Sequence, residues 1–264
     1  GLVLTVCVAL VLIGGLQRIS GVAQVLVPFM AATYVTATAL ILVFHYSEIP
    51  AALAVIIRSA FGLDAAAGGA LGAMMTAVQK GVARGVFSNE AGLGSAPIAA
   101  AAVRTNEPAA QGLVSMLGTV IDTVIICTMT GLAIVITETW NIGLDGVAVT
   151  TRAFQAGLPF EPEVSSFLLM VCLVCFAFTT ILGWNYYSEK CLEYLTGGRR
   201  HIIKAYRRLY IVCVFIGPFM TVSAVWTIAD IFNGLMAVPN LIAIVSLSSV
   251  IVAETKQYLA KQNL

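Results

Sequence analysis

The sequence predicts an all-α integral membrane protein, and three observations predict it. Hydrophobic residues make up 59% of the 264 residues, only 10% are charged, and the mean hydropathy is +0.96. A soluble domain carries about 45–50% apolar and about 25% charged residues, so this chain has too few charges to cover a water-facing surface. The third observation is arrangement: apolar runs near the length of about 20 residues that a membrane-crossing helix needs recur along the chain, separated by polar segments. The formal net charge of +1 excludes a nucleic-acid binder, because nothing here would neutralise a run of phosphates.

Taken in order, the runs predict seven passes. The chain opens without Met in an apolar stretch that lacks a basic n-region and an A-x-A site, so this is not a signal peptide. It reads as a helix entered part-way, and the expectation is an N-terminally truncated protein. The passes fall at about 2–16, 22–44, 69–103, 112–136, 164–187, 209–226 and 231–253. Residues 49–63 are too short and too flanked by polar residues to cross, and predict an interfacial helix opening at Pro50. The segment 189–208 holds Lys190, Arg199, Arg200, Lys204, Arg207 and Arg208 against Glu189 and Glu193, which places it in the cytoplasm by the positive-inside rule. Arg18, Arg104, Lys256 and Lys261 then fall on that same side. The segment 137–163, with Glu138, Asp145, Glu161 and Glu163 against Arg152, falls outside. The expectation is a multi-pass protein of the plasma (cell inner) membrane with a cytoplasmic C-terminus. Most of the six cysteines lie in apolar runs and read as small packing residues; Cys172-x-x-Cys175 has redox spacing but neither a second pair nor a histidine nearby.

The third run has 35 residues where about 20 would cross. Residues 80–97 read KGVARGVFSNEAGLGSAP. Gly81, Gly85, Gly92 and Gly94 weaken a helix, and Pro97 suits the first turn of a new one. A carboxylate at membrane depth is expensive and marks function, and backbone that leaves the helix there must line a cavity or be buried in protein. The segment therefore predicts two half-helices, about 70–84 and 95–103, around an unwound stretch carrying Ser88, Asn89 and Glu90. A loop between two short helices is the alternative. On the fifth pass, Thr179 and Thr180 present adjacent hydroxyls; they supply hard oxygen ligands to a small cation or, as spacing alone favours, bond back to their own helix. Trp184 follows one turn later, as a cavity wall or a lipid-facing ring. Asp122 on the fourth pass lines a cation pathway or pairs with Lys80 or Arg84. Asp230 and Asn233 are expected near the outer end of the last loop, and Pro239-Asn240 reads as a kink with a local hydrogen bond.

Residues 85–97, GVFSNEAGLGSAP, resemble the signature of the alanine or glycine:cation symporter (sodium:alanine symporter) family. Residues 27–30 (VPFM), 111–112 (QG), 121–123 (IDT), 181–184 (ILGW) and 233–240 (NGLMAVPN) resemble family blocks in the expected order, so the likeness covers essentially the whole chain. It implies a LeuT-like fold of two inverted five-helix repeats, with the third pass matching the broken sixth helix and the fifth matching the eighth. The chain then forms one transmembrane domain: 1–44 ends the first repeat, 45–68 is an external linker with the interfacial helix, and 69–264 is the second repeat. The first three core helices are absent from the sequence. The resemblance further implies that Phe87, Ser88, Asn89, Glu90, Ala91 and Gly92 contact the amino acid. Trp184 joins Phe87 in restricting the pocket to small side chains, and Thr179 and Thr180 ligate sodium. The implied activity is Na⁺-coupled symport of alanine or glycine by alternating access, with no cofactor beyond the coupling ion. Its partners are the amino acid, Na⁺ and membrane lipid, with no nucleic acid. The same fold carrying another small amino acid, or coupled to protons through Glu90 or Asp122, is the alternative. An enzyme is excluded by the residues themselves: His45 and His201 sit at pass ends, and neither G-x-S-x-G nor H-E-x-x-H occurs.

Overall fold

The structure is a computed structural model that describes residues 1–62 and 69–262. The last residues of the expected linker, 63–68, lie outside the described residues. Among the described residues every regular element is helical. In chain order these are α1 (Leu2–Ile13), α2 (Gly15–Phe44), α3 (Ile49–Ala60), α4 (Ala70–Asn89), α5 (Ala96–Ala100) and α6 (Pro108–Thr119). A π-helical stretch (Val120–Cys127) follows, then α7 (Thr128–Ile136), α8 (Val147–Gly157), α9 (Pro162–Thr196), α10 (Arg200–Ile216), α11 (Val222–Ser246) and α12 (Ser248–Lys261). Four stretches are long and apolar enough to cross a bilayer: Gln17–Phe44, Pro108–Ile136, Pro162–Thr196 and Val222–Ser246. α1 is a shorter apolar helix.

Several boundaries differ from the sequence reading. α4 continues five residues past the expected end at Arg84, through Gly85, to Asn89. Gly85 is permissive rather than breaking, and the helix stops only where a left-handed residue is required. The break expected after Trp226 lies instead at 217–221, because Gly217 and Pro218 end α10 in a short 3₁₀ turn. Asp230 and Asn233 therefore sit inside α11, not near a loop. α11 also runs unbroken through Pro239. The basic segment 189–208 is almost entirely helical: α9 reaches Thr196 and α10 starts at Arg200. Gly197 and Gly198, at φ 62° and 75°, make the turn between them, and the Gly198 N–H donates to the Glu193 carbonyl at 2.8 Å. The segment 137–163, expected outside the membrane, contains the helix α8.

The chain divides into two compact units, interleaved in sequence: Gly1–Ile49 with Met129–Val222, and Pro50–Thr128 with Ser223–Leu264. In the first, α9 is the central post. Its 35 residues span about 52 Å at 1.5 Å per residue, more than the ~30 Å hydrocarbon core needs. α2 and α8 pack on its N-terminal half: Phe154 is fully buried, and its ring lies 5.7 Å from that of Tyr34. The Tyr34 hydroxyl meets Thr130 Oγ1 at 2.7 Å. α8 approaches α2 so closely that a Cβ on Gly157 would fall 2.7 Å from the Ile41 side chain. Lower on α9, Leu182 packs with Val8 and Leu12 of α1. In the second unit, α4 lies against the π-helical stretch, and α12 packs on α6, where Lys261 reaches Glu107 at 2.8 Å. That bond holds the Lys261 ammonium pKa above its ordinary value.

Candidate functional site

The chain leaves helical geometry at 90–95, and every step of the departure has a residue to account for it. Glu90 ends α4 at φ 55°, a left-handed conformation that costs a non-glycine residue about 1–2 kcal/mol. Its surroundings over-determine that conformation. The Asn89 side-chain oxygen accepts the Ala91 N–H at 2.9 Å, the Leu93 N–H donates to the Glu90 carbonyl at 3.2 Å, and the Ser95 hydroxyl donates to Glu90 Oε2 at 2.6 Å. Leu93 and Ser95 are buried. Gly92 and Gly94 supply the remaining positive φ values, 75° and 82°. Gly94 is also a point of close approach: a Cβ there would meet Asn240 Oδ1 of α11 at 2.9 Å. The sequence reading gave Asn240 a local bond at a kink; instead it packs on the glycine of the break. Ser95 and Pro97 then open α5.

The end of α4 is fastened to the π-helical stretch by side chains. Ser88 Oγ donates to Asp122 Oδ2 at 2.5 Å, and Asn89 Nδ2 donates to Thr123 Oγ1 at 3.4 Å. Widened π-helical turns concentrate at functional positions, because the extra residue per turn re-aims a side chain; here Asp122 lies in one. Arg84, one of the two partners expected for Asp122, pairs elsewhere. Its Nη2 meets Asp230 Oδ2 at 2.7 Å, and its guanidinium lies 4.0 Å from the centre of the Trp226 ring. Trp226 in turn meets the Phe87 ring at 5.1 Å. Phe87, Ser88, Asn89, Glu90, Ala91 and Gly92 are thus gathered at one helix end, as a contiguous segment with Asp122 beside it. That end presents the unsatisfied last-turn carbonyls and the negative pole of the α4 dipole, which suit a cation or an ammonium group.

The residues on α9 belong to the other unit. The Thr179 hydroxyl donates to the Cys175 and Phe176 carbonyls at 3.0 and 3.1 Å, the back-bonding that spacing alone favours. Donating its proton leaves its oxygen lone pairs unspent. Thr180 makes no hydrogen bond among the described residues; it lines a largely apolar cavity of about 990 Å³ with residues of α8 and α9 such as Thr151, Met170 and Phe176. Trp184 is half-buried, and its ring packs edge-on against Tyr187 at 5.7 Å.

The whole chain, residues 1–264, matches the family described as the sodium:alanine symporter family. The chain belongs to that family. It is 51% identical over 259 residues to an uncharacterized transporter of Haemophilus influenzae, covering 97% of this chain and 56% of that one. It is 44% identical over 262 residues to the sodium/alanine symporter AgcS of Methanococcus maripaludis, covering 98% and 56%. It is 37% identical over 259 residues to the probable sodium/glutamine symporter GlnT of Bacillus subtilis, covering 98% and 53%. The chain therefore spans about half the length of these relatives. It is a membrane protein of a transporter family, not an enzyme.

Sequence reasoning missed three structural features. Ser95 was read only as the start of a half-helix, although a hydroxyl five residues after a left-handed glutamate is well placed to hold its carboxylate. Asp230 was placed outside the helices, which hid it from Arg84. Asn185, next to Trp184, is buried with both amide atoms lacking a partner among the described residues, and nothing in the sequence distinguishes it from a lipid-facing asparagine.

Proposed function

We propose that the chain is part of a secondary active transporter. It carries alanine or glycine together with Na⁺ across the plasma membrane by alternating access, on a LeuT-like inverted-repeat fold with about seven passes. In this reading 1–44 ends the first repeat, 45–68 is an external linker, 69–264 is the second repeat, and the C-terminus is cytoplasmic. The observation that carries the proposal is the break at 90–95, where a glutamate is held left-handed by its neighbours in a chain of a sodium:alanine symporter family. Secondary transporters build midplane sites from such interruptions, with free carbonyls for the cation and half-helix ends for charged substrate groups.

In the proposal the segment from Phe87 to Gly92 binds the amino acid. Phe87 excludes large side chains by overlap. A pocket of that kind rewards one methyl group by only about 1–3 kcal/mol, so alanine and glycine are both accepted. Thr179 and Thr180 ligate Na⁺. Coupling requires that ion and amino acid each raise the other's affinity; the membrane potential then adds about 2.3 kcal/mol per charge per 100 mV.

A second reading keeps the fold and changes the coupling ion to H⁺, with Asp122 or Glu90 as the proton-carrying group. Another small amino acid is the remaining alternative, since one relative is named a probable glutamine symporter. Uptake of labelled alanine by the whole carrier in proteoliposomes, under a Na⁺ gradient or a proton gradient at fixed potential, tests all three. Uptake driven only by Na⁺ supports the proposal. Uptake driven only by protons transfers coupling to Asp122 or Glu90, and no uptake of alanine or glycine under either gradient removes the substrate assignment.

A further inference from the structure

One face of α10 changes character along its length. Its inner side packs Tyr210, Ile211 and Val214 against the core formed by α1 and α9, and the Tyr210 hydroxyl donates to the Ile181 carbonyl at 2.8 Å. Arg207 grips Glu189 through two bonds of 2.7 Å, which also hold its pKa above the ordinary arginine value. These contacts fix the rotation of the helix. An exposed row spaced by four residues starts beside the packed side at Arg200 and turns away from it by about 40° per step. The row begins with Arg200, Lys204 and Arg208, all exposed and none in a hydrogen bond or ion pair among the described residues. Beyond Arg208 it becomes apolar, with exposed Val212 and Ile216, and exposed Leu209 lies beside them. The nearby acids do not offset the charge: Glu189 is taken by Arg207 and Glu193 by Lys190. Tyr194, at the hairpin tip, is 88% exposed, as befits a ring at headgroup level.

We propose that this face of α10 binds an anionic phospholipid, with the phosphate against Arg200, Lys204 and Arg208 and an acyl chain along Leu209, Val212 and Ile216. Unpaired cations beside a membrane helix attract anionic headgroups. The apolar continuation of the row selects an amphiphile over a free anion, because a free phosphate would use only its first half. The basic part covers about 12 Å of helix, and the apolar part continues beyond it along α10.

The test uses the whole carrier in detergent micelles loaded with equal amounts of phosphatidylglycerol and phosphatidylcholine of matched chains, with bound lipids counted by native mass spectrometry. The wild type is expected to retain phosphatidylglycerol preferentially. R200Q/K204Q/R208Q is expected to lose that preference by about tenfold or more, while R200K/R208K keeps it. Should the triple variant not fold, K204E alone must lower the preference. The proposal is overturned if the neutralised variant, or K204E in its place, keeps the wild-type preference. A K256Q/K261Q control that loses it equally would overturn the site, and phosphatidylglycerol adducts abolished by excess inorganic phosphate would mark a free-anion site instead.

Discussion

The break at 90–95 and the threonine pair on α9 are two ways of presenting polar groups inside an apolar chain. At the break the backbone itself departs from the helix. Ser95 bonds the Glu90 carboxylate, Asn89 accepts the Ala91 N–H, and Gly94 lies hard against Asn240. On α9 the helix stays intact for all 35 residues, and the polar groups are side chains: Thr179 bonded to its own helix carbonyls, Thr180 facing an apolar cavity. The contrast says what each can recognise. A locked break at the carbonyl end of a helix suits a ligand with charge and shape, and hydroxyls on an intact helix suit a small ion.

The two regions should respond differently to mutation, beginning at the break. Glu90→Ala and Asn89→Ala in the whole carrier should each lower alanine uptake by roughly 10–100-fold at any sodium concentration, the scale of losing a hydrogen-bonded charged or polar partner. Equal losses that vanish at high sodium would move the substrate off the break. Gly94→Ala should cost about 2 kcal/mol of stability, from positive φ and from overlap with Asn240, read as a lower midpoint of thermal unfolding. Adding Asn240→Ala should recover only the overlap part. Thr180→Val should act through the ion alone: half-saturating sodium rises about fivefold, while alanine KM at saturating sodium stays put. A changed alanine KM there would erase the distinction drawn between the regions. Glu189→Gln, remote from both, should lower stability by about 1 kcal/mol through the partly exposed Arg207 pair and leave transport kinetics unchanged.

The membrane class and the broken third run were legible because they rest on composition and on residues with strong backbone preferences. Gly92, Gly94 and Pro97 mark a departure from helix that no side-chain packing needs to explain. The start of the break was misplaced because Gly81 and Gly85 look the same in sequence; both are helical, and a Cβ on either would meet nothing nearby. α8 was invisible for a related reason. Its residues carry no strong apolar run, and it is held by a close approach of Gly157 to Ile41, from a distant part of the chain. Pairings across helices, such as Arg84 with Asp230 rather than Asp122, depend on which faces meet, and spacing along one helix carries no information about that.

The central claim is that the amino acid binds at the break. Equilibrium binding of labelled alanine to the purified whole carrier, with sodium or with choline in its place, tests it most directly when wild type and Asn89→Ala are compared at matched thermal stability. The account predicts saturable, sodium-dependent binding that Asn89→Ala weakens at least about tenfold. Wild-type affinity in the variant would contradict it.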